Sequence, residues 1–292
     1  MDAVITYVDG LDPLWQEDYC KAVGKPVLEK RFRDWGTLKY LLRGIETFMP
    51  FISNVYLIVA RESQIPEWVD RSRLKVVLHS DIIPAEYLPV FNSTAIEMFM
   101  HRIPGLDEQY IYFNDDMFPV MPCSAEDFFP DGKAAIGFSK HFFSRSMYKK
   151  HVRYSDALAR KAAGVGKGFC FLRPQHICSP MLKSDCEQLF TVANKEILGS
   201  VTTLREECNY NQYIFLNYSY YLGHAISRRL SKKHISLALY SGERVAEFLK
   251  SPYRKLVCIN DVQDLAAPFI PTRDAMLKAF DGLLPDKSKY EL

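Results

Sequence analysis

Four apolar runs stand out along the first 130 residues: Asp2–Val8 (DAVITYV), Asn54–Ala60 (NVYLIVA), Leu74–Leu78 (LKVVL) and Tyr110–Phe113 (YIYF). Each is short, rich in β-branched or aromatic side chains and free of helical period, which predicts strands buried on both faces. Between the first two, Leu38, Leu41, Leu42, Ile45 and Phe48 recur at three- and four-residue spacing, so an amphipathic helix is expected over residues 37–48. A short helix is expected at Gln64–Trp68, with Pro66 near its first turn. Another is entered through Leu88–Glu97, with Asn92 or Ser93 as its cap, and runs through His101-Arg102 until Pro104-Gly105 stops it. Strands alternating with helices over short loops predict an α/β fold whose mostly parallel sheet is flanked by helices.

After Pro130 the pattern changes. Ala134–Phe138 reads as one more strand, and from there to Ser251 the chain is helical, basic and aromatic, with helices expected over Arg153–Ala163, Lys183–Glu196 and Asn209–Leu222. The tyrosines of the last of these read as core contacts rather than a base-stacking platform. Leu256–Ile259 is a final short strand ending in Asn260-Asp261, and an amphipathic helix with a polar end follows from Pro271. The expected organisation is an α/β core over residues 1–138 and 252–270, a mainly helical subdomain over 139–251 and a helix with a tail over 271–292.

Composition narrows the function classes. The 292 residues are 48% hydrophobic and 25% charged with a net charge of +2, ordinary for a globular enzyme and no basis for nucleic-acid binding. The charge is uneven, however: Ser139–Lys183 holds ten Lys or Arg and one acid, Asp156, a bias toward an anionic ligand or surface. The plainer reading of that segment is a solvated helix face. Seven scattered cysteines without a CxxC pair suggest free thiols in a reducing compartment. Met1 leads into a strand without a signal-peptide pattern, and no apolar run reaches the ~20 residues of a membrane span. A cytoplasmic protein is expected, with its basic segment able to bring it to the inner face of a membrane.

Two stretches carry candidate chemistry on their own. Asn114, Asp115 and Asp116 follow the Tyr110–Phe113 strand, where adjacent carboxylates repel and a hard divalent cation is the simplest compensation. The competing reading is an Asx turn with Asp116 as a helix cap. Asp9-Gly10-Leu11-Asp12-Pro13 ends the first strand, where an α/β sheet usually holds a nucleotide and where Gly10 allows close backbone approach. The alternative is an ordinary turn. Arg31, Arg33 and Asp34 fall at a helix N-terminus, a natural place for a phosphate.

Four separated blocks together resemble the Stealth family of sugar-phosphate transferases, which includes bacterial capsular polysaccharide phosphotransferases and the animal N-acetylglucosamine-1-phosphotransferase. DAVITYVDGLDP is similar to its first region; RFRDWGTLKYLLRGIE, QIPEW, LPVFNSTAIEMFMHRIPGL and YIYFNDDMF to its second; HICSPMLKS with TLREECNYNQ to its third; and CIND to its fourth. The resemblance spans nearly the whole chain apart from the tail. It implies a Rossmann-like sheet related to GT-A glycosyltransferases, an Mg²⁺ or Mn²⁺ requirement, and transfer of hexose-1-phosphate from a UDP-sugar to a hydroxyl of a saccharide acceptor. The product would be a phosphodiester, with UMP released. Carried over by motif, the donor-side residues are Asp9, Gly10, Asp12, Arg33, Asp34, Asn92, Ser93, Glu97, His101, Arg102 and Asn114. Asp116, Asn260 and Asp261 would hold the metal, and Asp115, Arg153, His176 and Arg205 would be catalytic. The third region departs most: the family's HxP pattern is spread over His176-Ile177-Cys178-Ser179-Pro180, and Leu204 stands where a phenylalanine usually precedes the arginine.

The chemistry suits those residue types. Attack on the β-phosphorus spreads charge over non-bridging oxygens, so positioning and electrostatic stabilisation dominate. Guanidinium groups grip phosphate bidentately, and an imidazole with a pKa near ~6.5 can take the acceptor's proton around neutrality. Asp115 and Asp34 are the rivals for that base. Two other readings compete: a GT-A-type glycosyltransferase that releases UDP, and a sugar- or nucleotide-binding module without activity.

Overall fold

The computed structural model describes residues 1–27, 32–262 and 264–292, which leaves the expected phosphate contact of Arg31 outside the described residues. Its strands are β1 (Asp2–Thr6), β2 (Asn54–Val59), β3 (Lys75–Leu78), β4 (Gln109–Asn114), β5 (Met117–Pro119), β6 (Ala134–Ile136), β7 (Phe138–His141), β8 (Phe171–Pro174), β9 (Ser179–Leu182), β10 (Ala225–Ser227), β11 (Lys232–Ser236) and β12 (Leu256–Asn260). The fold is α/β. β1, β2 and β4 are buried along almost their whole length, as residues without polar alternation require. They belong to a five-stranded sheet in the order β3-β2-β1-β4-β9.

The chain divides into two compact units, the first comprising Met1–Val4, Val77–Tyr112 and Ala125–Leu230, the second Ile5–Val76, Phe113–Ser124 and Ser231–Leu292. These limits follow compactness, whereas 138, 252 and 270 follow composition.

In the first unit β4 pairs antiparallel with β9, from Gln109↔Leu182 to Tyr112↔Ser179. β10 runs parallel to β6, and β7 antiparallel to β8. Residues 139–251 are therefore less helical than expected. Three- to five-residue strands such as β9 are too short to show a period, and Pro180 within β9 masks it further; a proline is tolerated there because β9 is the last strand of its sheet. The helix Met147–Ala162 starts earlier than expected because Ser146 caps it, accepting from Lys149 N. The single helix expected over Lys183–Glu196 is two, Lys183–Val192 and Asn194–Gly199, broken where Ala193 leaves helical geometry at φ −121°. Tyr213–Tyr221 is a largely buried helix in which Tyr213 and Tyr218 are core contacts, as expected, while Tyr220 and Tyr221 at its end are half-buried.

In the second unit β12 pairs parallel with β11 and antiparallel with β5. The helix Leu38–Phe48 follows the expected period, burying Leu38, Leu41, Leu42 and Ile45. It approaches β5 closely: a Cβ on Gly44 would sit 2.6 Å from the Pro119 carbonyl oxygen. Glu62–Gln64 forms a single 3₁₀ turn where a helix over 64–68 was expected, since Pro66 has no N–H to continue one. The C-terminal helix Phe269–Leu283 packs with Gly242–Lys250. Among the described residues no helix is long and apolar enough to cross a membrane.

Candidate functional site

The second unit gathers the acids. Asp115 and Asp116 form the two-residue turn between β4 and β5. The β5–β12 pairing sets Met117 opposite Cys258, and Ile259 N donates to the Asp116 carbonyl at 2.8 Å. This register carries the carboxylate turn to the end of β12, where Asn260 and Asp261 lie. Cys258 Sγ is 3.4 Å from Asp116 Oδ2. Asp261 Oδ1 accepts from Val262 N at 2.7 Å and meets Arg33 Nη1 at 3.5 Å, while the Arg33 guanidinium lies over the Phe269 ring.

Crowding is the electrostatic signature. Asp115 reaches the surface in part, yet its carboxyl is enclosed: burial pushes its pKa up to about 7, with Asp116, Asp34 and Asp261 repelling in addition. Burial also raises Asp34, which accepts from Gly36 N at 2.9 Å, and Asp261, where Arg33 works in the opposite direction. Carboxylate oxygens are hard donors that suit a hard divalent cation, while the Cys258 thiol beside Asp116 is a soft one.

A pocket of about 120 Å³ in the same unit is lined by Tyr7, Asp9, Asp34, Ser63, Gln64 and Trp68, among others. Asp9 accepts from Leu11 N at 2.8 Å and Gln64 Nε2 donates to its carbonyl at 3.1 Å. Gly10 is obligatory here, because a Cβ would lie 2.0 Å from the Phe32 carbonyl oxygen. Asp12 has a different placement from Asp9: it is buried, caps the helix Pro13–Val23 through Leu14 N and accepts from Ser63 Oγ at 2.6 Å.

The first unit gathers the LPVFNSTAIEMFMHRIPGL block of the second region and the third-region residues. Asn92 caps the helix Ser93–Glu97 through Thr94 N, and its amide donates to Asn209 Oδ1 at 3.0 Å. Asn209 in turn donates to Ser200 O and Thr202 Oγ1 and accepts from Glu206 N, tying the loop that carries Arg205. Arg205 Nη2 donates to Ser93 Oγ at 2.7 Å. Glu97 is 3% exposed and accepts from Gln212 N at 2.7 Å; with its amide nitrogen turned toward Glu97, Gln212 also donates to both carboxylate oxygens. Burial still pushes Glu97 up to about 7, against these donors and the charge of Arg205.

His176 Nδ1 lies 3.3 Å from the hydroxyl of Tyr213, which lies 3.1 Å from that of Tyr148. Arg153 is exposed on the helix Met147–Ala162, with Ser144 Oγ 3.5 Å away. His101 sits in the core: its ring packs on Phe190 and Phe215, and burial pushes its pKa down to about 4, Arg102 and Lys183 adding repulsion. Arg102 spreads over the Phe99 and Phe190 rings and donates to Ile82 O at 3.4 Å. Asn114 closes β4.

Four polar partners escaped the sequence reading: Tyr148, Tyr213, Asn209 and Gln212. Asn209 and Gln212 lie inside the TLREECNYNQ block and Tyr213 directly follows it, so proximity to Arg205 was a usable signal. Tyr148 had none, because its distance to Tyr213 is a product of helix packing.

Comparison with known proteins bears on the identity of this assembly. A sequence model described as Stealth protein conserved region 2 matches residues 31–136. The chain is 31% identical to a capsular polysaccharide phosphotransferase, WcwK, of Streptococcus pneumoniae, over all of this chain and 99% of that one. It is also 31% identical to a receptor polysaccharide phosphotransferase, WefC, of Streptococcus oralis, with the same coverage. A capsular polysaccharide phosphotransferase of Actinobacillus suis matches at 33% identity over 68% of this chain and 58% of its own. Among solved structures, the galactosyltransferase LgtC in complex with donor and acceptor sugar analogues aligns with 99% of this chain and 98% of its own, at 10% identity and a TM-score of 0.40. The full-length identity to the streptococcal enzymes, together with the matched second region, shows that the chain belongs to the Stealth family of sugar-phosphate transferases.

Proposed function

We propose that the protein transfers a hexose-1-phosphate, an N-acetylhexosamine-1-phosphate, from a UDP-sugar to a saccharide hydroxyl in the synthesis of a capsular or surface polysaccharide. The acceptor oxygen forms a bond to the β-phosphorus, the bond from that phosphorus to UMP breaks, and the acceptor's proton passes to a base. The observation that carries this reading is the crowding of Asp34, Asp115, Asp116 and Asp261 beside Arg33, an arrangement that calls for a cation and suits a diphosphate. The streptococcal phosphotransferases, related along their whole length, support it.

Asp116, Asn260 and Asp261 would hold Mg²⁺ or Mn²⁺, which supplies neutralising charge to the diphosphate when bound. Asp9, Gly10, Asp12, Asp34 and Asn114 take the donor side, and Arg33 pairs with its phosphates. Asp115, raised by burial and by its neighbours, is suited to a hydrogen bond with the transferring group. Arg205, steadied on Ser93, and Arg153 stabilise charge on the phosphoryl oxygens. Asn92 and Glu97 hold the loop and helix on which Arg205 and Ser93 sit, and His101 packs in the core against Phe190 and Phe215. His176 takes the proton, its ring oriented by the Tyr213 hydroxyl at Nδ1.

The test is a panel of UDP-sugars with Mg²⁺ or Mn²⁺ and identification of the nucleotide released. UMP with a new phosphodiester is expected; UDP with a glycosidic bond would make the protein a glycosyltransferase instead. Asp116→Ala and Asp261→Ala should each reduce turnover at least about 10³-fold with unchanged circular dichroism, and an active variant would remove that residue from the metal set.

A further inference from the structure

The first unit has a second feature, a set of exposed loops beside a cavity whose wall also holds Arg153. β7 and β8 pair with His141 opposite Phe171, which brings residues 142–146 and 163–170 to the same end of that ladder. Those loops expose Phe142, Phe143 and Phe169 at 64%, 73% and 104%, with Met147 and Val165 also exposed. Phe142 and Phe169 line one cavity of about 800 Å³, whose wall includes Tyr154, Lys161, Lys167 and Phe171.

Three phenylalanines standing in water on neighbouring loops are costly unless something covers them. The charges around them say what kind of surface that is. Lys150, Arg160 and Lys161 have acidic partners in Glu207, Asp156 and Glu196. Among the described residues, Lys140, Arg145, Lys149 and Lys167 have no carboxylate within 4 Å, and the surrounding segment is basic as a whole. The cover must therefore be apolar below and anionic at its face. A soluble anionic glycan would leave the Phe rings in water. An anionic lipid bilayer supplies both.

We infer that loops 142–146 and 163–170 dock the protein onto anionic lipid bilayers, the Phe142, Phe143 and Phe169 rings entering the interface while Lys140, Arg145, Lys149 and Lys167 lie against headgroup phosphates. The inference does not depend on which nucleotide sugar the protein uses. No helix among the described residues crosses the membrane in this arrangement, so attachment is reversible and weakened by salt.

Vesicle co-sedimentation of the full chain tests it, with phosphatidylcholine vesicles containing 30% phosphatidylglycerol against pure phosphatidylcholine. The expected result is at least tenfold stronger binding to the anionic vesicles, reduced severalfold in 0.5 M NaCl. The variant F142S/F143S/F169S should lose at least tenfold of that binding, and so should K140E/K167E. Both change only exposed side chains, so their melting temperatures should match the parent's. Absence of binding to anionic vesicles, equal binding by the Phe variant, or a preference for neutral vesicles would each overturn the proposal. So would loss of vesicle binding in a variant whose melting temperature has collapsed, if a single F169S variant that melts normally binds as the parent does.

Discussion

Glu97 shows at a single residue how burial and donors compete. Its carboxyl has lost its water and kept Gln212 N–H, and the balance raises it to about 7. For an acid raised on folding, the folded state holds its proton after the unfolded chain has released it, so stability falls as pH rises from about 4.5 to about 7. A tenfold difference in proton affinity between the folded and unfolded chain corresponds to about 1.4 kcal/mol. Glu97→Gln keeps the shape and removes the titration; urea denaturation across that window should show the parent losing stability more steeply than the variant. Equal slopes would mean that Glu97 ionises as in solution. The neighbouring Asn92, Ser93 and Arg205 were each named from motif, but their mutual bonds were not, because 112 residues separate Ser93 from Arg205.

At the scale of elements, the amphipathic helix expected from Pro271 is present as Phe269–Leu283, and the polar end that follows it is an anchor. Arg43, inside the helix Leu38–Phe48, donates through Nε and Nη2 to Glu291 at 2.8 and 2.7 Å and through Nη1 to Leu284 O. Tyr290 is buried, and Asp70 N donates to its carbonyl. Burial works to raise Glu291, but Arg43 and Ser288 outweigh it and hold it below the usual value. A carboxylate depressed on folding stabilises above its unfolded pKa, and that contribution fades as pH falls through the folded one. Arg43→Ala leaves the acid without its partner and should cost about 2–4 kcal/mol at pH 7, with a smaller difference at pH 3. Chemical denaturation at the two pH values checks both. Periodicity found the helix correctly; it had no means of finding that its one buried arginine meets the last turn of chain.

Across the whole molecule, each compact unit is assembled from three separated stretches of chain. Composition suggests cutting at 138 and 252, but β9 takes its partner from β4 and β10 takes its partner from β6, both outside 139–251. A fragment of residues 139–251 should therefore lack cooperative unfolding and be cleaved rapidly by protease. A sharp melting transition in that fragment would restore it as an independent subdomain. The candidate residues are distributed the same way: acids and Arg33 in the second unit, Arg205, Ser93, Glu97 and His176 in the first.

What the sequence determined alone was the set of elements whose length lets a period or an apolar run show: β1, β2, β3, β4, β12, the helix at residues 38–48 and the C-terminal helix. It also determined the family, because the matching blocks are local strings. Tertiary structure decided the rest. The register of β5 on β12 brings Asp116 to the end of CIND, the tyrosine pair engages His176, and the pairing of β7 with β8 gathers exposed phenylalanines from two loops. Each joins residues tens to more than a hundred positions apart, where the choice among strand partners is made by burial and backbone hydrogen bonding of the entire sheet. Local propensity carries no record of that choice.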